Sequence, residues 1–163
     1  MIKVGIITAS DTGAVGQRVD ESGSVIRELI KIIEGEVIDY QILPDERELL
    51  SFHMRHMSDQ LGIDLILTTG GTGFSPRDIT PEATLDIIDK QVPGLPEAMR
   101  AKSMEITPRA MLSRAIAGIR KQTLIINLPG SPKGVRECLE IILPVLPHAI
   151  AIMKGQTGEC ARK

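Results

Sequence analysis

The sequence predicts an α/β protein with three layers: a mostly parallel sheet with helices on both faces, in a single domain over residues 1–163. Three observations predict it. Residues 2–7, 64–68 and 123–128 are short runs rich in Ile, Leu and Val without clear polar alternation, as expected of strands covered on both faces. Amphipathic segments with helix-start chemistry lie between them, and alternating strands and helices call for parallel pairing. No repeat, low-complexity tract or linker divides the chain, and 163 residues favour one domain.

Taken in order, the strand at 2–7 runs into Ser10-Asp11-Thr12-Gly13 and a polar loop holding Gly16 and Gly23. A fourth strand is predicted at 36–43, closing on Leu43-Pro44-Asp45-Glu46. Asp45 with Glu48 three residues later resembles a capping box with Asp in place of Ser or Thr, opening a helix over 47–61. Thr80-Pro81, Thr107-Pro108 and Ser131-Pro132 each put a capping hydroxyl before a proline that suits the first helical position.

Composition removes several classes of function. Hydrophobic residues are 42% and charged residues 25%, an ordinary globular balance that excludes a disordered tail. Aromatics are 2% with no Trp, too few for the ring platforms that bind single-stranded nucleic acid, so no nucleic-acid partner is expected. There is no apolar run of about 18 residues and no signal-peptide pattern, so no membrane partner and a cytoplasmic location are expected. Cys138 and Cys160 fit neither a metal site nor a disulfide framework. His53 and His56, three apart, lack a third ligand at recognisable spacing and read as surface residues. Residues 100–136 hold eight Lys and Arg against one acid, while the rest of the chain holds eleven against twenty. Such a basic stretch in an acidic molecule suits a small polyanion, although solvated helix faces would give the same count.

In parallel sheets, ligands sit beyond the carboxyl ends of the strands. The loop after 64–68 reads Thr69-Gly70-Gly71-Thr72-Gly73-Phe74-Ser75-Pro76-Arg77-Asp78. Its glycines let backbone approach an anion closely. It is neither a Walker A loop nor a dinucleotide fingerprint. Asp78 beside such a loop would repel phosphate unless a divalent cation lay between them, and Mg²⁺ held by one or two carboxylates and phosphate oxygens resolves the conflict. Asp45 is the second candidate carboxylate. Either aspartate could instead serve a helix start. Pro129-Gly130-Ser131-Pro132-Lys133 offers a second cradle with a helix N-terminus, a hydroxyl and a cation, or else an ordinary strand-to-helix turn.

These segments together resemble the molybdopterin adenylyltransferases: the bacterial Mog-type proteins and the G domains of gephyrin and its plant counterpart. The likeness rests on the run from Thr68 to Gly73, on Pro76-Arg77-Asp78-Ile79-Thr80-Pro81-Glu82-Ala83-Thr84, on Ser10-Asp11, Leu43-Pro44-Asp45-Glu46 and Leu112-Ser113-Arg114, and on Asn127 through Lys133, in that family's order. The resemblance implies a molybdopterin-binding-like fold and a step of molybdenum-cofactor assembly: ATP and molybdopterin as substrates, Mg²⁺ as cofactor, adenylyl-molybdopterin and pyrophosphate as products. It implies Asp45 and Asp78 as the catalytic acids and Mg²⁺ ligands. Substrate binding is then expected at Ser10, Asp11, Thr69, Gly70, Gly71, Thr72, Gly73, Ser113, Pro129, Gly130, Ser131 and Lys133, and at Glu97 in a matching Pro-Gly-x-x-Glu-x-Met segment. It further implies a homotrimer and a downstream molybdenum-insertion enzyme as partner. Met99, Met104 and Met111 are expected to fill core or subunit contacts. A related MoaB-like group has Ile where this chain has Pro81, which favours the adenylyltransferase branch. The alternatives are a metal-dependent nucleotide pyrophosphate hydrolase and a non-catalytic molybdopterin carrier.

Overall fold

The computed structural model describes residues 1–156. Cys160 therefore lies outside the described residues, and Cys138 is buried as a free thiol. The elements run β1 (Ile2–Ala9), α1 (Asp11–Ala14), α2 (Glu21–Leu29), β2 (Gly35–Leu43), α3 (Arg47–Asp59), β3 (Leu65–Thr69), α4 (Thr80–Leu85), β4 (Lys90–Gln91), α5 (Gly94–Met104), β5 (Ala117–Arg120), β6 (Thr123–Leu128), α6 (Pro132–Ile142) and α7 (Leu146–Met153).

The strands form one sheet in the order β2-β1-β3-β6-β5-β4. The first four are parallel, while β5 and β4 add an antiparallel edge. The four parallel strands are those expected from the sequence. Their side chains alternate between two apolar layers. Val4, Ile6, Leu65, Leu67, Leu124 and Ile126 face one side, where α2, α5, α6 and α7 contribute Leu29, Met99, Leu139 and Ile150. Ile7, Ile66 and Ile125 face the other, against Leu50, Met54 and Met57 of α3 and Ala83 of α4. With both faces buried, both sets of positions are mainly apolar, which is why β1, β3 and β6 read as apolar runs, and the polar residues they hold lie towards the strand ends. Each fully buried aliphatic side chain contributes about 1.5–3 kcal/mol relative to exposure.

Beneath the carboxyl edge, Asn127 is completely buried and every polar group of its side chain is used. Its Nδ2 donates to Thr68 Oγ1 and Thr84 Oγ1, both at 2.9 Å, and its Oδ1 accepts from Ile116 N at 3.2 Å. This joins β3, β6, α4 and the approach to β5, directly below the loops that follow β3 and β6.

Two of the expected caps are overturned. Thr80 does not cap α4. Its backbone N–H donates to Gly71 O at 3.1 Å, which draws it into the first turn as a helical residue. Asp45 does not cap α3: Glu46 holds that position with no side-chain bond, and the Asp45 carboxylate accepts from Asp11 N instead. Ser131 caps α6 as expected, accepting from Gly134 N at 3.1 Å. Thr107 accepts from Arg109 N, but the turn it starts, Pro108–Leu112, is 3₁₀.

Candidate functional site

The register brings the four loops to one edge. Thr8 pairs with Thr69, Ala9 with Leu43, and Thr69 with Leu128, so β1, β2, β3 and β6 end level with one another. Beyond them lie two adjoining clefts. The first, about 460 Å³, is polar and acidic, and contains Asp45, Asp78, Ser10, Asp11, Thr69, Gly70, Gly71 and Gly130 together with Asp20 and Arg18. The second, about 550 Å³, has apolar walls from Met99, Ile106 and Leu112, with Arg100, Arg109 and Lys133 set among them; Thr72, Gly73, Ser113 and Pro129 also line it. Ser131 belongs to both. All the expected site residues therefore converge on this edge except Glu97, which lies exposed in the first turn of α5 and lines neither cleft.

Two glycines make the β3 loop possible. Gly70 and Gly71 have φ of +90° and +68°, the left-handed region that a Cβ disfavours. A Cβ on Gly70 would collide with Ala9 O, and one on Gly71 would collide with Thr80 Oγ1. Thr80 Oγ1 is itself buried and unpartnered. The Thr69 hydroxyl is turned away from the cleft to Pro129 O at 2.6 Å, so it ties the two cradling loops together. Ser22 Oγ does the same from α2, donating to Gly130 O at 2.7 Å.

The acids are held at different strengths. Asp11 accepts a forked pair from Arg77, Nε at 3.0 Å and Nη2 at 2.8 Å, and this hydrogen bonding, with that from Asp45 N, holds its carboxyl below the ordinary range. Burial pushes the Asp45 carboxyl up, and the nearby charges of Asp11 and Asp78 add to that. Asp78 folds back on its own loop, with Oδ2 accepting from Ser75 N at 2.9 Å. Asp20, which the sequence did not single out, is occupied by three donors: Thr8 Oγ1 at 2.5 Å, Gly23 N at 2.9 Å and the Tyr40 hydroxyl. Burial and the Asp20 carboxylate push the Tyr40 phenol up to about 12. Asp20 thus anchors the start of α2, whereas Asp45 and Asp78 carry negative charge into the cleft.

Among the described residues, no three His, Cys, Asp or Glu side chains form a self-sufficient cation cage. The donors do fit a cation shared with a ligand. The two carboxylates of Asp45 and Asp78, which line the same cleft, would be a partial shell for Mg²⁺, which takes its other oxygens from phosphate and water.

Glycine-rich loops, acids and basic side chains thus gather beyond the carboxyl ends of the parallel strands, where ligands bind in open α/β sheets. The comparisons place the protein more narrowly. A family model described as "Probable molybdopterin binding domain" matches residues 5–148, and the chain belongs to that family. It is 44% identical over 156 residues to the molybdopterin adenylyltransferase of Helicobacter pylori, covering 94% of this chain and 89% of that protein. It is 37% identical over 174 residues to the molybdopterin adenylyltransferase of Escherichia coli, covering 98% and 89%. Among solved structures, the molybdopterin biosynthesis enzyme MoaB of Thermus thermophilus superposes with a TM-score of 0.91 at 50% identity, covering 98% of this chain and 100% of that one. No helix among the described residues is long and apolar enough to cross a membrane.

Proposed function

We propose that the protein is a molybdopterin adenylyltransferase: an oxygen of the molybdopterin phosphate attacks the α-phosphorus of ATP, and the bond to the β-phosphate oxygen breaks to release pyrophosphate. The observation that carries this is the meeting of two chemically different clefts at Ser131, between the 70–73 and 129–131 loops. A two-substrate transfer needs two sites whose reacting phosphates can touch, and two adjoining clefts at this edge support that reading. Relatives at 37% and 44% identity bear that activity's name.

In this reading Asp45 and Asp78 hold Mg²⁺, which when bound neutralises charge on the transferring phosphates. The chain's own contribution is placement. The bare backbone at Gly70 and Gly71 lets phosphate oxygens approach closely. Lys133 and the start of α6 present positive charge at the shared rim. Thr69 and Ser22 fix the 129–131 loop against β3 and α2. Phosphoryl-type transfer asks mainly for such positioning and charge stabilisation, and no protein nucleophile is required. Exposed Met104, Ile106, Met111 and Leu112, at the end of α5 and in the turn that follows it, support a homotrimer in which a second copy covers them. We place the protein in the cytoplasm, handing its product to a molybdenum-insertion enzyme.

The test is incubation with ATP and Mg²⁺, with and without molybdopterin, followed by mass spectrometry. Adenylylated pterin and pyrophosphate that form only when both substrates are present support the proposal. ATP consumption without pterin points to a hydrolase, and tight pterin binding without turnover points to a carrier.

A further inference from the structure

Arg114 follows Ser113 on the wall of the apolar cleft, yet its side chain reaches into the loop that carries Asp78 across the acidic one. Each of its three side-chain nitrogens has a partner. Nε donates to Gly73 O at 2.8 Å, Nη2 donates to Asp78 O at 2.7 Å, and Nη1 pairs with Glu82 in the first turn of α4. Its backbone N–H donates to Thr72 O at 2.9 Å. The two carbonyls it grips are the two ends of the segment 73–78. Within that segment Asp78 N donates to Ser75 O at 2.9 Å, and Ser75 N returns a bond to Asp78 Oδ2 at the same distance. A Cβ on Gly73 would sit 2.9 Å from Asp78 Oδ2, so the carboxylate lies directly over the backbone that Arg114 holds.

We propose that Arg114 is the positioning residue for Asp78: gripping Gly73 O, Asp78 O and Glu82 together, it fixes where the Asp78 carboxylate stands without touching a substrate. The planar guanidinium meets three acceptors at once in a fixed fork, which a single ammonium on a flexible stem cannot reproduce. Glu82 is the fixed end of the brace. Burial raises its carboxyl, but the hydrogen bond from Arg114, a backbone hydrogen bond at Glu82 itself and the charge of Arg114 together hold it below the ordinary range. Its Oε2 is buried without a partner, so its anchoring runs through Oε1 to Arg114. What Asp78 does for catalysis rests on the adenylyl-transfer reading above; that Arg114 sets its place rests on the geometry alone.

The experiment has two arms, each run on Arg114→Lys and Arg114→Gln. In the first, amide hydrogen exchange of the protein without substrates is followed at single residues. The Ser75 and Asp78 amides are expected to exchange at least about tenfold faster in the variants, while Leu67 and Ile126 in the central strands stay at wild-type rates. In the second, adenylyl transfer is measured alone and combined with Asp78→Asn. A misplacement of about 1 Å costs on the order of 100-fold, so kcat is expected to fall about 10- to 100-fold, with KM for either substrate within about threefold. In the Asp78→Asn background the same change is expected to add less than about threefold, because the residue it positions is already lost. Full additivity, unchanged exchange at 75 and 78, or loss of the whole fold in both variants overturns the proposal. If the wild type forms no adenylylated pterin, the functional reading fails and the exchange arm still decides the role of Arg114.

Discussion

Asp11 and Asp45 hold each other by reciprocal bonds: Asp11 N donates to Asp45 Oδ2 at 3.2 Å, and Asp45 N donates to Asp11 Oδ1 at 3.0 Å. The pair closes the ends of β1 and β2 into one rim, with Arg77 clamped on its outer side. An asparagine at 45 can still accept from Asp11 N through its own Oδ1, so Asp45→Asn removes charge and leaves the rim. We expect Asp45→Asn and Asp78→Asn to keep wild-type circular dichroism and to lose at least about tenfold in adenylyl transfer, as for other groups that stabilise charge in a transition state. Turnover above about a tenth of wild type in Asp78→Asn would remove the cation-holding role.

Lys133 lies at the rim of the apolar cleft, with its side chain 82% exposed and Nζ 3.8 Å from Glu137. So loose an exposed pair leaves the ammonium available to a phosphate. Lys133→Ala is expected to weaken one substrate by about 10- to 150-fold, the range for loss of a charge-assisted contact of roughly 1.5–3 kcal/mol. The loss should shrink with added salt. Titration calorimetry with each substrate separately reads it, and a change below about threefold for both would make Lys133 a solvated helix-start residue.

Gly70→Ala tests the loop itself. The added methyl would meet a backbone oxygen, not a movable side chain, at a φ that alanine disfavours. Urea unfolding is expected to show a loss of about 2 kcal/mol or more, since left-handed backbone costs about 1–3 kcal/mol before any clash is counted. Gly16→Ala is the control: it shares the positive φ but meets nothing within 4 Å, and it should cost less.

Acid sensitivity is expected from the far end of the sheet. Arg120 donates to Asp59 through Nε at 3.0 Å and Nη2 at 2.6 Å, with Lys121 Nζ 3.1 Å away. The Arg120 hydrogen bonds hold the Asp59 carboxyl down from 3.8 to about 2. A carboxyl lowered on folding stabilises the folded state above its unfolded value, and that stabilisation disappears as pH falls through the folded one. Asp59→Asn should therefore lower the urea midpoint at neutral pH, and the gap to wild type should close between about pH 4 and pH 2. A gap that stays constant across that window would show that the pair contributes only through its shape.

The parallel half of the sheet was legible because burial on two faces leaves an unmistakable apolar run, and the strand-end loops because glycine and hydroxyl residues cluster there. The edge strands β4 and β5 were not. Lys90–Gln91 is exposed and two residues long, and Ala117–Arg120 has no apolar run to mark it. Local rules failed where a distant group made a better offer. Asp45 had the spacing of a cap, but Asp11 supplied a donor from another loop. Thr80 had the chemistry of a cap, but Gly71 O took its amide. Arg114 stood in a recognised motif, yet nothing in the linear chain shows that its guanidinium spans the ends of the 73–78 segment. Asp20 carried only the local signal of a helix cap, which Gly23 N satisfies; its other donors, Thr8 and Tyr40, arrive from two different strands and leave no mark in the linear chain.

The bond from Ser22 Oγ to Gly130 O joins positions 108 residues apart. A chain that had formed only β1, β2 and β3 would possess the glycine loop and both acids but no opposite wall, since the 129–131 loop arrives with β6. Contacts this distant in sequence carry their loop-closure entropy before they return any stabilisation, which slows folding. On the proposed reading, a site for two substrates is therefore complete only once β6 and α6 have docked.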